Sequence, residues 1–235
     1  MSRAEPSWKR RAVSRLVSIN RRQLLQAPLV LASLALTTRA SADAGKPPLI
    51  VLQPLGASLP AAELAAVSAA ITAFYAVELQ TAEPLSLPKN AFYPKRGRYR
   101  AEKLLDFLVA SGSQQARVVL GLTAVDISTT KPPYDDWGIL GLATLDGRSA
   151  VLSSFRCRRQ AKDAAHVRTR FAKTAVHELG HSFGLDHCPT PGCIMHDGEG
   201  SVLTTDTERD LCAGTRARLS AAGVLRAEAV SPFPS

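Results

Sequence analysis

No apolar run in the sequence is long enough to cross a bilayer as a helix. Residues 27–36 are apolar, but that is about half of the roughly 20 residues a span requires. No stable membrane span is therefore expected. Internal repeats are missing, and the only biased stretch is alanine-rich and helical in pattern. Glycine and proline stop at 15 each in 235 residues, with 46% hydrophobic and 21% charged side chains, which excludes collagen-like, coiled-coil and wholly disordered chains. Cysteine is also scarce. The four present, Cys157, Cys188, Cys193 and Cys212, are not needed as a scaffold, because a domain of roughly 190 residues already buries close to 70% of its unfolded surface.

Acidic residues are nearly absent from the first 42 positions, where Glu5 faces eight basic side chains. The formal net charge of +9 therefore belongs mostly to this leader, and residues 43–235 carry 21 bases against 19 acids. A nucleic-acid partner is not expected from so balanced a domain. The leader reads as an export signal: a basic start, the apolar run, and a small-residue exit at Ala40-Ser41-Ala42. Within it, Asn20-Arg21-Arg22-Gln23-Leu24-Leu25 resembles a twin-arginine signal for folded cargo. Cleavage after Ala42 is expected, giving an exported bacterial protein, periplasmic or secreted, with one domain over residues 43–235.

Along that domain, the apolar run Leu49 to Leu52 predicts a buried first strand. Leu64, Val67, Ile71 and Phe74 fall at spacings of three and four, predicting a helix from about Pro60 to Leu79. A second strand is expected at Pro84 to Leu87, then a helix lined by Leu104, Leu105 and Leu108 that ends near Gly112 in a left-handed cap. Arg117 to Thr123 predicts a strand, and polar Ser128 to Asp136 a surface loop. Trp137 to Thr144 and Ala150 to Phe155 predict two strands joined through Asp146-Gly147, a hairpin signal. Helical periodicity returns at Ala164, Val167, Phe171 and Ala175. The alternation points to an α/β or α+β fold around one sheet.

That last helix leads into His177-Glu178-Leu179-Gly180-His181-Ser182-Phe183-Gly184-Leu185-Asp186-His187. Four residues apart on a helix, His177 and His181 project from one face and can reach one metal ion. Gly184 can take positive φ, so the helix can stop and the chain can return with His187 as third ligand. Three protein ligands leave one position open, the mark of a catalytic zinc. At the chain's own composition these five spacings would arise by chance on the order of 10⁻⁵ times. Glu178 is not needed to hold a metal, but it is placed to take a proton from an activated water. His166 precedes the motif without a partner at metal spacing, and a surface or capping role is expected for it.

The pattern of three histidines, glutamate and glycine, with Met195 eight residues beyond His187, resembles the metzincin metallopeptidases. His187-Cys188, then Cys193-Ile194-Met195, then Cys212 narrows the resemblance to the archaemetzincins. Ala91-Phe92-Tyr93, Arg96-Gly97-Arg98-Tyr99 and Gly141-Leu142-Ala143 are also similar to that family, and the likeness covers most of residues 49–220. It implies a metzincin-like α/β (α+β) fold, a twisted mixed sheet of about five strands with a long active-site helix and two or three further helices. The family's last cysteine pair would add a fourth thiolate to Cys188, Cys193 and Cys212 and complete a structural zinc site. Here Thr215 stands in that place. His196, Cys157 or water could substitute, and disulfides are the alternative in an oxidising compartment.

The expected activity is zinc-dependent hydrolysis of peptide bonds, with His177, His181 and His187 as ligands and Glu178 as general base. The family resemblance implies aminopeptidase-like action on short peptides. One of the two strands near residues 137–155 is expected to pair with the substrate. The competing class is a catalytically inert, zinc-stabilised binding module of the envelope.

Overall fold

The computed structural model describes residues 45–56 and 59–233. The leader over residues 1–42 lies outside the described residues. The main sheet has five strands in the order β2-β1-β5-β9-β8: β1 Leu49–Pro54, β2 Glu78–Thr81, β5 Val118–Thr123, β8 Gly141–Ala143 and β9 Ser149–Ser153. All neighbours are parallel except β8, which runs antiparallel to β9 at the sheet edge. Beside it lies a second sheet of short strands, β3 Phe92–Tyr93, β4 Arg98–Arg100, β6 Ile127–Lys131 and β7 Tyr134–Ile139, in the order β3-β4-β6-β7.

The central strands are apolar on both faces, and the alternation of side chains sorts them into two cores. Ile50, Leu52, Val118, Leu120, Leu122, Ala150 and Leu152 face α1 (Ala61–Phe74) and α3 (Ala164–Ser182). Val51, Val119 and Val151 face α2 (Ala101–Ser111) through Leu104, Leu105 and Leu108. Gly121 lies under α2 because a Cβ there would come within 2.7 Å of Leu108. Two short C-terminal helices, α4 (Thr204–Thr207) and α5 (Ala213–Ala221), complete the domain. Among the described residues, no helix is long and apolar enough to cross a membrane.

The five-stranded mixed sheet and the long helix agree with the sequence; several boundaries do not. The first helix stops at Phe74 rather than Leu79, since Tyr75 turns extended and the amide of Ala76 bonds to the Val224 carbonyl. The chain then pairs with β1 over Glu78–Thr81, so β2 replaces the expected strand at Pro84 to Leu87, where Leu85 makes only an isolated bridge to Leu55. Gly112 ends α2 at φ −81°, outside the left-handed region; the glycine is needed there because a Cβ would overlap the Leu108 carbonyl and Val119. Ser128 to Asp136, expected as a loop, forms most of the β6–β7 hairpin. The run Trp137 to Thr144 splits, its first half in β7 and its second in β8.

Candidate active site

The 19-residue helix α3 carries the site, and its sequence explains its placement. Asp163 caps its start by accepting the amide of His166 at 2.7 Å. Its next turns bury two cations. Arg170, only 1% exposed, forks onto Asp206 at 2.8 and 2.6 Å and donates to the carbonyls of Cys157 and Arg159. Lys173 donates to the carbonyls of Thr205 and Glu208 at 2.8 and 2.6 Å. Because every nitrogen of the guanidinium has a partner, burial of the charge is tolerated, and the segment 205–208 is fastened to the helix. His166 joins this bracket through Asp206, 2.7 Å from its Nε2, in the capping region expected from sequence.

At its other end the helix stops as the sequence predicts. Gly184 has φ +79°, and the chain reverses with Gly184 and Leu185 amides bonded to the carbonyls of His181 and Gly180. Met195 is fully buried beneath the site, and Gly180 makes room for it: a Cβ there would stand 2.5 Å from the Met195 sulfur.

His177, His181 and His187 converge, with one ring nitrogen of each within 4.8 Å of the others. The Nδ1 of His177 lies 2.7 Å from the Ile194 carbonyl, and the Nδ1 of His181 lies 2.6 Å from that of Leu185. A carbonyl only accepts, so each Nδ1 carries the hydrogen and each Nε2 keeps a lone pair. Those two Nε2 atoms face each other at 3.0 Å. Two lone pairs at that distance repel unless a cation lies between them, so the donor set fits a metal ion. Burial, followed by the charge of His181, lowers the pKa of His177 to about 3, and burial lowers that of His181, keeping both rings neutral as ligands must be. The half-exposed His187 has its Nδ1 3.5 Å from Asp197 Oδ2, an orienting contact outside the trio.

Glu178 lies beside the trio, 6% exposed, and burial pushes its carboxyl up to about 8. The edge strand β8 passes directly over it at Gly141, where a Cβ would overlap the carboxyl. A cavity of about 110 Å³ opens here, lined among others by His177, Glu178, His187, Leu140, Thr174 and Glu208. No tyrosine lines it. Asp197, Glu208 and the close pass of Gly141 escape sequence reasoning, because only the folded chain brings them to α3. The sequence spacing of Asp197, two residues past Met195, was the one available signal.

The cysteines divide. Cys188, Cys193 and Cys212 cluster with their sulfurs within 4.8 Å of one another, whereas Cys157 lies apart, buried, with its thiol pushed up by burial to about 12. No disulfide joins any of the four in this structure, in which the Cys188 and Cys212 sulfurs stand 3.4 Å apart. Neither His196 nor Cys157 joins the cluster. Thr215 does: its hydroxyl lies 3.3 Å from Cys212 Sγ and 3.5 Å from Cys193 Sγ. Burial raises the Cys212 thiol, but hydrogen bonds from the hydroxyl and amide of Thr215 outweigh this and bring it down to about 6. Three sulfurs and a hydroxyl form a weaker donor set than four thiolates.

Comparison with known proteins agrees with this geometry. The profile of peptidase family M54 matches residues 57–214. An archaemetzincin from Haloquadratum walsbyi is 30% identical over 178 residues, covering 73% of this chain and 98% of that protein. One from Pyrococcus abyssi is 33% identical over 168 residues, 67% of this chain and 86% of the relative. The solved archaemetzincin of Methanopyrus kandleri is similar with a TM-score of 0.64 at 28% identity, covering 77% of this chain and 98% of that one. That of Archaeoglobus fulgidus, solved in complex with malonate, gives 0.61 at 26% identity over 72% and 99%.

Proposed function

Since the chain belongs to peptidase family M54, the archaemetzincins, and is a zinc metallopeptidase, we propose that it cleaves short peptides with His177, His181 and His187 as the ligands of its catalytic zinc and Glu178 as its general base. The observation that carries this reading is the pair of backbone carbonyls on the Nδ1 atoms of His177 and His181, which turns both lone pairs toward one point. A zinc ion held there supplies a Lewis acid for the attacking water and the scissile carbonyl. Glu178 takes the proton of that water and passes it to the leaving amine, and a cation nearby favours its ionised form against burial. The outer edge of β8, which pairs with no further strand among the described residues, offers its backbone to an extended substrate beside Glu178. It is the second half of one of the two strands expected from sequence, while Ala150 to Phe155 falls in the interior strand β9 and its continuation.

The small cavity supports a preference for short peptides with aminopeptidase-like cleavage, since it has room for little more than one side chain. The basic, apolar and small-residue grammar of residues 1–42 supports export through removal of that leader, by a twin-arginine-like route. The Cys188, Cys193 and Cys212 group supports a second, structural zinc.

The test is a peptide-library digest of the zinc-loaded and metal-stripped chain, read by mass spectrometry. Cleavage that appears only with zinc, one residue from free N-termini, supports the reading. A zinc-loaded protein that binds peptides and cuts none favours an inert binding module. The N-terminal mass of protein recovered from cells checks export: an intact Met1 would defeat it.

A further inference from the structure

A carboxyl group that the reaction does not use lines the cavity beside the histidines. Glu208 is 4% exposed and lines the same cavity as His177, Glu178 and Thr174. Among the described residues, no hydrogen bond or ion pair reaches its carboxylate. The nearest cation, Lys173, attracts it through space but makes its hydrogen bonds elsewhere. Lys173 spends two donors on the backbone carbonyls of Thr205 and Glu208, and its ammonium lies over the Phe233 ring at 5.3 Å from the centroid. Arg209 likewise turns to the carbonyls of Asp206 and Glu208. Arg170 is held by Asp206.

An acidic group buried in the wall of a substrate cavity without a hydrogen-bond partner is costly by itself, and the cost is offset when a ligand brings the complement. Two other carboxylates line the cavity, but Glu178 is assigned to the attacking water and Asp197 stands against His187. Thr174 donates its hydroxyl to the Arg170 carbonyl, and Leu140 and Ile139 are apolar. The surroundings suit the aliphatic stem of a long side chain, with a positive head meeting Glu208 at the end.

We propose that Glu208 is a specificity-determining residue that receives a positively charged group of the peptide, an ammonium or guanidinium, next to the bond being cut. This rests on the peptidase reading above but adds the substrate class. The charge has two sources, a lysine or arginine side chain or the free N-terminus of the peptide, and the geometry favours the side chain because its stem fills the apolar part of the cavity.

The experiment compares the zinc-loaded full-length chain with Glu208→Gln and Glu208→Lys on paired peptides that carry lysine or norleucine beside the cut, each with a free or acetylated N-terminus. In the wild type, kcat/KM for lysine exceeds that for norleucine by at least about 30-fold, as a buried charge pair can provide. In Glu208→Gln that ratio falls to within about threefold, and Glu208→Lys shifts preference toward glutamate. A wild-type preference for free over acetylated N-termini that disappears in Glu208→Gln would assign the contact to the terminal ammonium. A variant that lowers lysine and norleucine substrates alike, or a wild type without preference for either cation, overturns the proposal. A separate readout covers failure of the peptidase reading. Calorimetric binding of acetyl-alanyl-lysyl-alanine amide, against its norleucine counterpart, must still show at least tenfold tighter binding of the lysine peptide that Glu208→Gln abolishes; equal binding of the two overturns the proposal independently of turnover.

Discussion

Two clusters of metal-type ligands meet at the dipeptide His187-Cys188, and they are held in opposite ways. The histidines are oriented from outside: the carbonyls of Ile194 and Leu185 fix two rings and Asp197 stands behind the third, so that their free nitrogens converge without any bond among themselves. The cysteine sulfurs contact each other and Thr215, with Cys188 and Cys212 3.4 Å apart, and take backbone amides from Thr190 and Cys212 as well. A cluster whose donors are pinned from behind is shaped for an ion.

The sharpest break of this contrast is Glu178→Gln. It leaves the histidine lone pairs untouched, so zinc counted by mass spectrometry stays while peptide hydrolysis falls by about 10³-fold or more. Turnover that survives the substitution would remove Glu178 as the general base and leave the histidines to activate water without it. Next in size is Asp206→Asn, which leaves Arg170 buried without its carboxylate; a loss of about 3 kcal/mol in urea unfolding is expected. Little change there would mean that the helix bearing the histidines does not depend on its bracket.

Thr215→Cys sharpens the comparison from the other side. A fourth thiolate in place of the hydroxyl should tighten zinc at the cysteine cluster by about 100-fold, measured by chelator competition, without changing affinity at the histidines. The smallest effect is acid sensitivity. Hydrogen bonds from Arg170, against some burial cost, lower Asp206 from 3.8 to about 2. A carboxylate with a depressed folded pKa adds stability that is present above the unfolded value and lost as pH falls from about 4 toward 2. With the side chain 32% exposed, solvent screening leaves about 1–2 kcal/mol. Unfolding midpoints followed across that window should lose it in the wild type and not in Asp206→Asn.

Much of the site was legible because its signals are local. The stripe of Val167, Phe171 and Ala175 marks a helix, the spacing of His177 and His181 marks one face of it, and Gly184 marks its end. Parallel strands buried on both faces also announce themselves as apolar runs, as in β1 and β5. The second sheet was not legible, because β6 and β7 are short and partly exposed, with polar residues that read as loop. Nor was β2, whose mostly exposed Glu78–Thr81 is held by β1 and carries no pattern of its own. Asp197 and Glu208 gain meaning only once the reversed chain lays residues 196–208 against α3, a relation no local period encodes.

The bracket of Arg170, His166 and Asp206 has a further consequence for engineering. It acts as a fixture that registers the pocket wall to the ligand helix at a point removed from both the chemistry and the substrate. Residues 198–205 can then be exchanged as a cassette, retuning what the cavity accepts, while the retained clamp keeps the zinc ligands in place.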